Sequence, residues 1–184
     1  MNLTNHFLIA MPTLSDPNFS RTGTYLCSHD DGGAMGIVVN RPLGMGLGEV
    51  LEQMGIDAPD PRAINIPVLQ GGPVLPERGF VLHRPAAEWD AVLEIEESGL
   101  AIATSRDILR AIANGEGPED VIVTLGYAGW AAGQLEQELS DNAWLSGPAD
   151  QSIIFDLPYE ERWGSAARLL GIDLDRMSGQ AGHA

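Results

Sequence analysis

The apolar positions of the chain fall into short alternating runs and a few longer stripes, a pattern that predicts strands mixed with helices. Phe7-Leu8-Ile9-Ala10-Met11, closed by Pro12, predicts a buried strand. Residues 24–29 and 34–39 predict a hairpin around Asp30-Asp31-Gly32-Gly33, whose glycines take positive φ without steric cost. Period-two alternation puts Tyr25, Cys27 and His29 on one face of its first strand, while Ile37-Val38-Val39 reads as buried on both faces. Leu47, Val50, Leu51 and Met54 form the stripe of a short helix entered through Gly44-Met45-Gly46-Leu47-Gly48. The stretch from Asp57 to Pro67 reads as irregular, and Val68-Leu69 as a short strand ending at the Gly71-Gly72-Pro73 turn.

Further along, Phe80-Val81-Leu82-His83 predicts a strand, and 92–96 with 100–104 a second hairpin through Glu97-Ser98-Gly99. A helix follows, capped by Thr104 or Ser105, lined by Ile108, Leu109 and Ile112, and ended by Gly115. Val121–Leu125 predicts a buried strand that runs into a Gly126–Trp130 loop and then a helix from about Ala131 to Leu139. Pro158 opens a last helix carrying Trp163, Ala166, Ala167 and Leu170, with a frayed tail expected from about residue 172. No repeat or linker divides the chain, so residues 1–184 are expected to form one domain of α/β type.

Composition narrows the function. The 184 residues carry 26 acidic against 10 basic side chains, a net charge of −16, which repels phosphate backbones and anionic membranes. Direct nucleic-acid binding is therefore disfavoured. Every basic residue other than histidine is arginine, which removes Walker-type, Schiff-base and kinase lysine chemistry. A single cysteine and the absence of a basic leader point to the cytoplasm, and no apolar run approaches the roughly 20 residues of a membrane helix.

Five constellations could carry chemistry. Cys27 and His29, two apart on one strand, could pair as thiolate and imidazole, or be a buried cysteine beside a hydrogen-bonded histidine. Together with His83 they are also conceivable metal ligands, although no spacing motif demands a metal and no cofactor is expected. The Gly44–Gly48 loop could cradle phosphate at a helix N-terminus, or be a flexible turn; Glu49 stands where a dinucleotide fingerprint needs glycine. Gly126, Tyr127, Gly129 and Trp130 offer close backbone approach and aromatic faces, with Gln134 and Glu138 one and two helical turns beyond Trp130. The alternative is a structural corner with Trp130 as anchor. Arg41 and Arg78, beside Asn40 and the Gly71-Gly72 turn, are either anion clamps or, like Arg84, partners of carboxylates. A pocket assembled from these residues and His83 predicts a non-catalytic protein that binds a small ligand, phosphorylated or not, and acts through a protein partner. The alternatives are an enzyme using Cys27, His29 or His83, and, least favoured, a direct DNA-binding regulator.

Several motifs in one order, Phe7–Pro12, Cys27-Ser28-His29, Gly33–Gly36 through Asn40-Arg41, Gly71–Val74, Arg78–His83 and Gly126–Trp130 with Gln134-Leu135-Glu136, resemble the YqgE/AlgH family over nearly the whole chain. Thr22-Gly23-Thr24 departs from the apolar strand start its relatives tend to carry. The resemblance implies a bacterial cytosolic protein of α+β class, or three-layer α/β in other schemes. Its mixed sheet would be bent and bifurcated into a pseudo-barrel flanked by helices. The biochemistry of that family is largely uncharacterised. Some members are named transcriptional regulators, in connection with exopolysaccharide production, which no DNA-binding module in these residues supports.

Overall fold

A computed structural model describes residues 1–173, so the tail expected to fray lies almost wholly outside the described residues. Among them the first strands are β1 (His6–Ala10), β2 (Gly23–Asp30) and β3 (Gly33–Val38), the last two forming the expected hairpin. Next come β4 (Pro42–Gly46), helix α1 (Leu47–Gln53), the short α2 (Pro61–Ile64) and β5 (Pro67–Gln70). The stretch read as irregular thus contains a turn of helix, which Asp60 opens by accepting from the Arg62 amide ahead of Pro61.

The chain continues with β6 (Val74–Arg84), β7 (Val92–Ile95), β8 (Leu100–Ala103), α3 (Arg106–Ala113) and β9 (Asp120–Ala131). It closes with α4 (Gln134–Ser140), β10 (Trp144–Pro148), α5 (Gln151–Phe155) and α6 (Tyr159–Leu169). The strands β4 and β10 and the helix α5 carried too little periodicity, over five residues each, to be read from the sequence.

The sheet runs in the order β10-β1-β2-β3-β9-β6-β8-β7, with β4 attached through β5. It curls because β9 serves three neighbours. Along one edge it pairs antiparallel with β6. Along the other it pairs first with β5, in parallel at Val123–Leu125, and then antiparallel with β3 at Ala128–Ala131. The changeover falls at Gly126, where φ is +76°, and it bifurcates the sheet into the half-barrel that the family resemblance implies.

At this fork three backbones meet with no room for side chains. A Cβ on Gly71 would lie 2.3 Å from the Gly126 carbonyl oxygen, and one on Gly72, at φ +155°, would lie 2.2 Å from the Tyr127 carbonyl. The Gly71 amide donates to Leu125 O at 2.8 Å, and its carbonyl accepts from the Val38 amide at 2.8 Å, so one residue ties β9 to the end of β3.

Three clusters of buried side chains fill the layers. The inner face of the curl packs Phe7, Ile9, Tyr25, Ile37, Phe80 and Leu82 against α5 and α6. On the outer face, α1, α2 and α3 cover Val68, Val81 and Val123, while Leu135 of α4 covers Leu8, Leu26 and Ala128. Changing parity at Gly126 lets β9 feed both outer clusters: Val123 faces α3's side, Ala128 and Trp130 face α4's.

Gly72→Ala is expected to cost about 3 kcal/mol or more in urea unfolding, because both the positive φ and the Tyr127 carbonyl oppose a methyl group. Gly79→Ala, where a Cβ meets open space, serves as the control and is expected within about 0.5 kcal/mol of the parent. Equal stability of the two variants would contradict the role assigned to the fork.

Candidate functional site

The expectation that Cys27 and His29 leave one face of a strand is corrected by a β-bulge. Register between β2 and β3 slips from Leu26↔Gly36 to Ser28↔Met35, leaving Cys27 unpaired. One extra residue inverts the alternation beyond it. Cys27 stays with the inner cluster, and the buried His29 emerges on the α4 side. The thiol lies in apolar surroundings, where burial pushes its pKa up to about 12, the opposite of an activated nucleophile. The His29 ring is engaged at both nitrogens. Nδ1 accepts from the Leu3 amide at 2.9 Å, so Nε2 carries the proton and donates to Glu136. That hydrogen bond is the main reason the Glu136 carboxyl is held below the usual range. The pair pins the N-terminal segment to α4.

His83 is fully buried on β6, away from both. Trp89 Nε1 donates to its Nε2 at 3.2 Å, and its Nδ1 donates to Val81 O at 3.0 Å. Both ring nitrogens are thus committed within the fold. Among the described residues no cluster of three or more His, Cys, Asp or Glu could hold a metal ion.

Residues Gly126–Trp130, expected as a loop at a strand end, lie inside β9, which runs on to Ala131. Local sequence could not reveal this, because the ladder to β3 is a distant pairing. Trp130, Gln134 and Glu138 do come together, with the Glu138 carboxylate at their centre. Glu138 Oε1 accepts from the indoles of Trp130 and Trp144 at 3.1 and 2.9 Å, and Oε2 accepts from Gln134 at 2.9 Å. Gln134 in turn accepts from the Ala131 amide at 3.0 Å.

Asn40 and Arg41 are also structural ties. Arg41 donates to the carbonyls of Pro17, Asn18 and Ser20 at 2.8, 2.6 and 2.9 Å. Asn40 accepts from the Gly23 amide and donates to Arg21 O, both at 2.9 Å, which anchors β2 where its sequence departs from an apolar strand start. Neither residue lines a cavity with Arg78. Arg84 has the carboxylate partners expected of it, Asp120 at 2.7 Å and Asp156 at 3.6 Å. The Gly44–Gly48 segment forms β4 and the start of α1 rather than an open loop. A Cβ on Gly46 would sit 2.6 Å from Ile64 O, and the first helical amide, Leu47, already donates to Ile66 O at 2.7 Å. Gly46 and Gly48 admit close packing against Ile64 while Gly44 turns the chain at φ +75°, and the phosphate cradle is not built.

Of the expected pocket residues, Arg78, Tyr127, Gly129 and Trp130 line one groove of about 780 Å³. Its other walls, which the sequence reading missed, include Met35 of β3, Val74, Leu75 and Phe80 of β6, Val92 and Leu93 of β7, and Ile102 of β8. The groove opens because β6 leaves its partner: Val74 pairs with Tyr127 and Gly79 with Leu125, so residues 75–78 bow outward opposite Gly126 alone. Leu75, Val92 and Leu93 are 51%, 36% and 45% exposed, an apolar rim open to water. Among the described residues no acidic side chain lines the groove, and Arg78 is its one charged residue. Its Nη2 donates to Thr104 Oγ1 at 3.3 Å, with no carboxylate in ion-pair range among the described residues. Leu75, wedged between Pro73 and Pro76 in the Gly72–Pro76 run, was the available signal, since strand alternation does not account for it.

Burial holds the His83 imidazole below its ordinary value. On acidification through about pH 6.5 the unfolded chain therefore takes up a proton that the folded chain does not, and stability falls. His83→Gln is expected to lower stability by about 1–2 kcal/mol at pH 7.5 and to lose this acid sensitivity. In thermal unfolding at pH 7.5 and 5.5 the gap between parent and variant then narrows with acid. Parallel curves would contradict it.

The comparisons with known proteins agree with this architecture. Residues 7–175 match the family model described as AlgH-like. A UPF0301 protein of Thioalkalivibrio sulfidiphilus is 57% identical across 100% of this chain and 97% of its own, and one of Nitrosococcus oceani is 52% identical across 98% and 96%. The solution structure of the AlgH protein from Pseudomonas aeruginosa superposes with a TM-score of 0.82 at 56% identity, covering 100% of this chain and 97% of that one. A crystal structure from Corynebacterium diphtheriae shares the fold at 19% identity, with a TM-score of 0.68 over 90% of this chain and 86% of that one. The chain belongs to the AlgH-like family.

Proposed function

We propose that this protein is a non-catalytic binding protein, that the groove between β3, β6, β7 and β9 takes a small ligand, and that occupancy is relayed to a protein partner. The observation that carries this reading is the groove itself. It is a concavity of about 780 Å³ with apolar walls, an exposed apolar rim and few polar groups, the usual character of a ligand site. The chemistry-bearing side chains lie elsewhere and apart. Cys27 is sealed in the inner cluster, His29 is engaged by Leu3 and Glu136, and His83 by Val81 and Trp89. Among the described residues no nucleophile, base and oxyanion donor converge at the groove.

A regulatory role through a partner fits the charge better than direct operator binding, because a net of −16 opposes approach to DNA. Among the described residues no helix is long and apolar enough to cross a membrane. The single cysteine suits a reducing compartment, and cytoplasmic residence is part of the proposal.

Binding of the neutral fluorophore N-phenyl-1-naphthylamine tests it. Saturable fluorescence enhancement at one site per chain is expected, weakened at least about tenfold in Leu93→Glu, which puts a charge on the apolar rim. Absence of saturable binding, or identical binding by that variant, would overturn the groove as a ligand site.

A further inference from the structure

From the groove's charge distribution we infer its ligand class: an amphipathic monoanion, an apolar chain ending in a single carboxylate that the Arg78 guanidinium receives. The inference rests on the proposed function, since it names what that groove binds. Three observations carry it. First, the walls formed by Met35, Val74, Phe80, Ile102 and Tyr127 present little besides carbon to an occupant, so most of the ligand must be apolar. Second, although the chain bears 26 acidic side chains, none of those among the described residues lines the groove, and one cation does. Third, Arg78 is exposed at that groove with one hydrogen bond, to Thr104, and no ion-pair partner among the described residues, so its other donors face an occupant of the groove.

A guanidinium with free donors matches a carboxylate by two parallel hydrogen bonds. One fixed positive charge balances one negative charge. A phosphomonoester, at about −1.5 to −2, would bring uncompensated charge into a protein of net −16. Of the small ligands left open by the sequence, phosphorylated or not, the groove's charge therefore favours a monocarboxylate. Position supports the same reading. Arg78 is carried on the segment of β6 that bows away from β9, between the exposed Leu75 and Gly79, so a head group can meet the guanidinium while its chain lies along the apolar walls.

Displacement of the bound naphthylamine probe by decanoate and by decanol at pH 7.5, each below its aggregation threshold, separates the head group from the chain. Decanoate is expected to displace at about tenfold lower concentration than decanol. In Arg78→Gln the two are expected to become equal with decanol unchanged, while Arg78→Lys retains part of the preference. Arg78 makes one bond in the fold, so these variants keep the structure.

Equal displacement by the two compounds in the parent, or a decanoate preference that survives in Arg78→Gln, overturns the monoanion inference and leaves the apolar site standing. A probe that never binds saturably overturns both readings. So does a dimer, seen by sedimentation, that excludes the probe and is dissociated by Leu93→Glu, since a second copy then fills the groove.

Discussion

The contact on which the molecule depends is a crossing of bare backbones. Gly71 and Gly72 run against Gly126 and Tyr127 at separations that leave no space for a Cβ, and the Gly71 peptide bonds to Leu125 on one side and Val38 on the other. A strand can share one edge between two neighbours only if the first leaves where the second arrives, and here both events occur at Gly126. Any side chain at the crossing would push the branches apart. The curl of the sheet, the inner core and both outer layers follow from that junction.

The groove is the geometric remainder of the fork. Beyond Gly126, β9 turns its edge to β3 while β6 bows out through residues 75–78, and the space between these diverging elements is lined by side chains that would be core if the sheet had stayed closed. That accounts for its apolar walls without any reference to a ligand. It does not account for a guanidinium set on so apolar a wall without a carboxylate partner among the described residues, and that departure from bland packing is what directs the functional reading.

Much of the fold was legible because local pattern and final structure agree: the β2–β3 hairpin, the capped stripe of α3 and the apolar run of β1 are all set by neighbours in sequence. The overall curl came from several motifs in order, not from any one of them. What failed were features decided at a distance. The Gly126–Trp130 segment looks like a loop until β3 supplies its ladder, and β10 is a strand by virtue of pairing with β1. A single bulge at Cys27 reversed the parity on which the thiol–imidazole reading rested. Of the residues expected at a pocket, Arg78, Tyr127, Gly129 and Trp130 do line the groove, but β7 and β8 contribute walls whose nearness no local spacing encodes. Asn40 and Arg41 were singled out for their polarity and turn out to spend it on the backbone of residues 17–23.

The central claim, that the space opened by the fork is where a ligand sits, is tested most directly by amide chemical-shift mapping of the isotope-labelled protein during titration with decanoate. The account predicts saturable shifts concentrated at Met35, Leu75, Arg78, Leu93, Tyr127 and Gly129. Shifts centred instead on Gly44–Gly48 or on the Cys27–His29 stretch, or no saturable shift at all, would contradict it.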